Sequence, residues 1–186
     1  MSGKVLDIHL FGACAVASAR PGGFVILGAK HKALFALLAT APFGRRTRAF
    51  LQEALWGQAC YDSGRQSLRR ALSDIKAIMG EDYGEALSST NAELTLNLAR
   101  VRFLGGPGVG EFLEGLDIRE AGYAAWRDAI RGNPAQLAGL YNLASESPEQ
   151  TVLPVVAVIP FRAVGGGMAD VALGDWLAEE VCRSLS

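Results

Sequence analysis

The stretch from Tyr61 to Gly80, YDSGRQSLRRALSDIKAIMG, constrains this chain most, because it reads as one long helix with an apolar stripe and a basic, polar remainder. Leu68, Leu72, Ile75 and Met79 recur at spacings of four, three and four, which stacks them along one side of an α-helix. Gln66, Arg69, Arg70, Ser73 and Lys76 fall around the rest of the circumference. Asp62 or Ser63 is placed to cap the N-terminus by accepting from a free backbone N–H, and Gly80 to stop the helix in a left-handed conformation. Such a helix buries one side and presents cationic donors on the other. Taken alone, it also fits an ordinary packed helix with a solvated charged face, so its neighbours have to decide.

Two helical segments lie upstream. Lys30 to Ala41 carries Leu34, Leu37, Leu38 and Ala41 on one stripe and is expected to end near Ala41, because the ring of Pro42 disfavours helix in the residue before it. After Phe43-Gly44-Arg45-Arg46, Thr47 is the expected N-cap of TRAFLQEALW, whose buried side is Phe50, Leu51, Ala54 and Leu55. Downstream of Gly80 the pattern turns to alternation. Leu94, Leu96 and Leu98 repeat with period two behind a short Asn91-Ala92 connection, a hairpin expected over residues 86–98. Three helices followed by a β-hairpin is the order of a winged helix-turn-helix. Val5 to Phe11, Ala13 to Ala17 and Gly23 to Leu27, interrupted by Gly12 and a Pro21-Gly22 turn, suggest a small antiparallel sheet ahead of the helices.

These residues, with LFG near the start, ALFALLA, LWG at Leu55 to Gly57 and SLRRALSDIKAIMG before the hairpin, resemble a known family. The match is to the OmpR/PhoB-type winged helix, most closely the version at the N-terminus of SARP-class bacterial transcription regulators, and it covers about residues 4 to 100. Phe112 to Asp117, then Ala125-Trp126-Arg127 and Arg131, look like the opening of the bacterial transcriptional activator domain that follows it in that class. That domain is a long helical array. Here only about two helices are expected before Ser145 to Glu149, a linker by composition. Beyond the linker, VLPVVAVIPF at Val152 to Phe161, a Gly165 to Gly167 loop and a helical pattern from Ala172 to Leu185 resemble the first strand and helix of a TolB-like module. One strand and one helix do not close a sheet. The chain is therefore expected to be a fragment cut inside that module, unless the strand pairs with another domain or molecule.

The expected organisation is α+β: a winged helix-turn-helix with an N-terminal antiparallel sheet, three helices and a C-terminal β-hairpin over residues 1–100. A short helical segment (101–145), a linker (146–153) and a partial strand-helix unit (154–186) follow. The resemblance implies a cytoplasmic bacterial regulator. A recognition helix at about residues 62–79 would lie in the major groove of double-stranded DNA, with the hairpin reaching the neighbouring minor groove. Arg65, Gln66, Arg69, Arg70, Ser73 and Lys76 are then the candidate readers, arginine being suited to guanine and glutamine to adenine. Ser67 and Lys76 suit phosphate equally. Arg45, Arg46, Thr47 and Arg48, before or at the start of helix two, combine guanidinium groups with free backbone donors and favour phosphate oxygens. Ser63 and Asn91, at the helix start and the hairpin turn, complete the set. Asp74 stands where the family's third helix often carries a basic residue. RNA polymerase is a further expected partner, and so is a second copy of the chain, with which the unpaired C-terminal strand would pair.

Charge and composition agree with this layout. Residues 1–100 carry 12 Lys/Arg against 8 Asp/Glu, while residues 101–186 carry 6 against 11. Between Lys30 and Lys76 the excess sharpens to nine basic against three acidic residues, the local imbalance that polyanion binding needs. The apolar run at Val152 is too short for a bilayer, which takes about twenty residues, and no secretory pattern opens the chain, so no membrane partner is expected. Cys14, Cys60 and Cys182 have neither disulfide nor zinc spacing. His9 and His31 give no triad or metal pattern, Gly105 to Gly110 lacks the Lys-Ser/Thr of a P-loop, and Gly165 to Gly167 lacks dinucleotide spacing. Trp56, Trp126 and Trp176 sit on apolar stripes as core anchors. Neither an enzyme nor a cofactor is expected. The competing reading is an interaction module whose basic face binds an acidic protein partner.

Overall fold

In the computed structural model, residues 3–105 and 110–145 are described, and they form a mixed α+β fold with two sheets. Its centre is helix α1 (Ala29–Ala39), in which every residue from Ala33 to Ala39 is buried. Beyond its first turn the stripe expected for this helix widens to the whole circumference, because both sheets and helices α2 (Arg48–Trp56) and α3 (Tyr61–Met79) lie against it. A helix that is apolar all round belongs in the interior. It ends at Ala39, short of the expected Ala41. Thr40 forms the C-cap, its hydroxyl donating to Ala36 O at 2.9 Å. Ala41 is extended (φ −84°, ψ 148°), as the following proline requires.

The first sheet has the order β3-β2-β1-β7, from β1 (Leu6–His9), β2 (Ala15–Ser18), β3 (Val25–Ile26) and β7 (Val101–Leu104). The N-terminal sheet was expected to be antiparallel throughout. The first three strands are, but β7 adds parallel to β1, so the sheet is mixed. Leu6 and Ile8 pair with Val101 and Phe103 in register, and all four side chains are buried. On the opposite face Asp7 pairs with Arg102, whose Nε and Nη2 donate to the two carboxylate oxygens at 2.9 and 2.8 Å. A parallel strand needs a long crossover, and residues 10–100 supply it.

The second sheet, β4-β6-β5, contains β4 (Arg45–Thr47), β5 (Leu87–Ser89) and β6 (Glu93–Leu96), all antiparallel. The hairpin expected over residues 86–98 is present in shorter form. Ala86 instead ends a five-residue helix, α4 (Asp82–Ala86), that the sequence pattern does not reveal. Arg45 to Thr47, expected as an approach to helix two, form the third strand. Thr47 is nevertheless the N-cap foreseen, its Oγ1 accepting from Phe50 N at 3.2 Å.

Helix α3 starts at Tyr61, and its N-cap is Cys60, not Asp62 or Ser63. The Cys60 side chain makes no capping bond, and Asp62 instead favours the first turn through the helix dipole. Gly80 ends the helix with φ 58° and ψ −126°, a conformation suited to glycine though not the left-handed helical one expected. The two later helices are α5 (Ala121–Arg131) and α6 (Pro134–Ser145). Phe112, Tyr123, Ile130 and Leu140 belong to the same buried cluster as Leu6 and Leu34, so the expected boundary at residue 100 falls inside a shared core. The described residues all belong to one compact unit. Most of the glycine-rich connector (106–109), the linker (146–153) and the strand-helix unit (154–186), with Cys182 and Trp176, lie outside the described residues.

Candidate functional site

Helix α3 is divided as its sequence pattern predicts. Leu68, Leu72, Ile75 and Met79 are buried with Gly64 and Ala71. Ser63, Arg65, Gln66, Arg69, Arg70, Ser73 and Lys76 are exposed, and Ser67 is half-buried. No carboxylate among the described residues pairs with Arg69, Arg70 or Lys76. Asp74 breaks the basic face, standing 3.8 Å from His31 Nε2. Ser63 Oγ also lies 3.1 Å from Cys60 Sγ, and bonds donated by the Ser63 hydroxyl and backbone N–H to the thiolate lower the thiol's pKa.

A groove of about 480 Å³ runs from this face to the turn between β5 and β6, lined by Arg48, Gln52, Tyr61, Arg65, Arg69 and Asn91 with three apolar neighbours. It contains three guanidinium groups and no acid. Two of its residues, Gln52 and Tyr61, were not anticipated. Tyr61 is 67 % exposed and lies under the Arg65 guanidinium at 5.7 Å. Gln52 Nε2 donates to Tyr61 O at 2.9 Å and so fixes the start of α3 from α2. A polar residue facing outward from α2 was the one available signal.

The turn is braced. Arg48 Nε donates to Thr90 O at 2.7 Å and Nη2 to Ser89 Oγ at 2.6 Å, while Arg48 N–H bonds to Ala92 O at 2.8 Å. Thr90 Oγ1 accepts from Ala92 N and Glu93 N at 3.3 and 3.0 Å. Asn91 is thereby exposed on a turn held from both its own residues and α2.

The four residues expected to hold phosphate therefore differ in role. Arg45 forms an exposed pair with Glu93 at 3.0 Å, an interaction weak enough to exchange for another anion. Arg46 turns inward: its Nε donates to Leu37 O at 3.4 Å, its guanidinium stacks 4.6 Å from the Phe50 ring, and burial lowers its pKa. Thr47 caps α2, and Arg48 holds the turn. Among the described residues, no group of three or more metal-ligating side chains gathers and no helix is long and apolar enough to cross a membrane. No family model, curated protein or solved structure matches the chain.

Proposed function

We propose that this chain is a sequence-specific DNA-binding transcription regulator of the OmpR/PhoB winged-helix type, similar to the SARP class. Helix α3 is the recognition helix and the β5-β6 turn is the wing. The observation that carries the reading is the continuity between the exposed cations of α3 and an acid-free groove ending at a braced, exposed turn. A major groove about 12 Å wide admits one helix, and an adjacent turn then meets the neighbouring backbone. Helix order and the three-stranded sheet packed against α1 and α2 support the winged-helix reading. In it the chain is a cytoplasmic bacterial protein without catalytic activity. Duplex DNA is its direct partner, with RNA polymerase and a second copy acting at the promoter.

An acidic protein surface would meet the same charges, and salt dependence separates the two readings. Arg45, Arg48, Arg65, Arg69, Arg70 and Lys76 can reach about four to six phosphates, which gives a log-log salt slope of roughly −3.5 to −5.5 for duplex DNA. A gel shift of the whole chain at several salt concentrations measures it. Absence of binding to bulk duplex at low salt would remove the DNA reading.

A further inference from the structure

The connection between α2 and α3, residues 57–60, is exposed in sequence order from Gly57 to Cys60 and leads directly into the reading helix. It is held from outside the DNA-facing elements. Glu120, the N-cap residue of α5, has a side chain only 11 % exposed. Its Oε2 accepts from Gln58 N at 3.2 Å, and its Oε1 accepts from Lys30 Nζ at 2.8 Å. Gln58 Nε2 donates back to Arg119 O at 2.7 Å. One carboxylate thus ties together the start of α1, the α2–α3 connection and the start of α5.

The fit beneath this tie is close. Gly122 lies against α2 such that a Cβ would stand 2.9 Å from Glu53 O and 3.1 Å from Ala54 Cα, so helix α5 approaches to a distance only glycine permits. Lys30 Nζ sits 5.2 Å from the Trp56 ring, at the end of α2 where the connection begins. A half-buried carboxylate accepting from an ammonium and a backbone N–H makes charge-assisted bonds, which are stronger than neutral ones.

We propose that Glu120 is a positioning residue for the reading helix: it holds Gln58, and through it the first turn of α3, in the register that base readout needs. The proposal rests on the DNA-binding reading of α3. It makes the segment after the second sheet part of the DNA-reading device, since displacing α5 would release the α2–α3 connection while leaving the cations of α3 exposed. Sequence preference would then fall and charge-driven binding would persist, because backbone contacts position the protein while base contacts specify.

The test uses the full chain with Glu120→Ala, Glu120→Gln and Lys30→Met. Amide exchange by NMR reads Gln58 N–H directly, and binding is compared between the best duplex selected from a random library and bulk duplex. Glu120→Ala is expected to speed Gln58 exchange by about tenfold or more while the amides of α1 keep their protection. Affinity for the selected duplex should fall by roughly fivefold, with bulk binding at low salt changed by less than about twofold. Glu120→Gln, which keeps an oxygen for Gln58 N–H, should restore most of both effects, and Lys30→Met should shift them in the same direction by less. Unchanged exchange at Gln58, faster exchange throughout α1, or faster Gln58 exchange with unaltered preference between duplexes each overturns the proposal. If the unmodified chain binds no duplex, the DNA reading fails, and the tie itself stands or falls on the exchange measurement alone.

Discussion

Gln52 and Gly64 interlock where α2 meets α3. A Cβ on Gly64 would lie 2.8 Å from Gln52 Nε2 and 2.9 Å from its Cγ, and the same Nε2 donates to Tyr61 O. The start of α3 is therefore set by a side chain on another helix and by the lack of one on its own.

This contact predicts a strongly coupled pair. Glycine within a helix is about 0.8–1 kcal/mol less favourable than alanine, so Gly64→Ala would stabilise an isolated α3. Here it displaces Gln52 and breaks the bond to Tyr61, and the net change should be destabilising by roughly 1 kcal/mol. In a Gln52→Ala background the same substitution should become stabilising. Denaturant unfolding of the four proteins in the cycle gives the coupling, expected at about 1–2 kcal/mol. Additivity of the two changes would show that the helices relax apart.

The arginines divide into fold-holding and ligand-facing groups. Arg69→Ala and Arg70→Ala should leave stability within about 0.5 kcal/mol of the parent, since both side chains are exposed. Whichever residue reaches a base edge should cost about 1–3 kcal/mol in specific binding. Arg46→Ala should instead lower stability by roughly 1–2 kcal/mol, because it removes the stack on Phe50 and leaves Leu37 O without that donor. Thermal melts beside binding isotherms separate the two groups. Equal stability losses in all three variants would contradict the division.

Arg48 acts on the turn. Arg48→Ala removes the donors to Thr90 O and Ser89 Oγ, so amide exchange at Ala92 and Glu93 should quicken by about tenfold while the β4–β6 pairing persists. DNA affinity should fall through both the lost charge and the loosened turn. Arg48→Lys, which keeps charge but not the two-pronged geometry, should recover the electrostatic part alone.

A chain ending at Arg100 should not fold cooperatively. It lacks β7 and leaves one side of β1 unpaired, and it lacks Phe112, Tyr123 and Ile130 from the shared core. Loss of a cooperative melt in that truncation, against a sharp one for a chain ending at Ser145, is the expected result. Equal melts would mean that residues 1–100 are self-sufficient.

Alkaline stability has a buried marker. Burial pushes the Cys14 thiol up to about 11, so the folded state resists ionising it while the unfolded chain does not. A group with a raised folded pKa lends stability that is complete below its unfolded value and is lost as pH rises through the folded one. Urea midpoints should therefore decline from the ordinary thiol range up to about pH 11, and Cys14→Ala should flatten that decline. The buried Tyr123 hydroxyl, also shifted upward by burial, adds to the fall at still higher pH.

Local pattern was sufficient where each residue's environment followed from its own helix or strand. The stripe Leu68, Leu72, Ile75 and Met79 alone separates the buried from the exposed side of α3, and the Thr47 cap and the alternation of Leu94 and Leu96 were legible for the same reason: their partners are a few residues away. Cation exposure on α3 followed directly, since whatever the stripe buries, the remaining face is left to solvent.

Tertiary structure decided what depends on residues far apart in the chain. Whether Arg46 faces a ligand or the Leu37 carbonyl, and whether Arg48 is free or bound to the β5-β6 turn, depends on where β4 pairs, and a three-residue strand carries almost no periodic signal. The same holds for β7, whose parallel partner lies at the other end of the described core, and for Glu120, which meets Gln58 and Lys30 across 62 and 90 residues. Side-chain period reports which face of an element is buried; it says nothing about which distant element buries it, and that choice turned Arg46 inward, tied Arg48 to the β5-β6 turn and placed α5 beside the connection to α3.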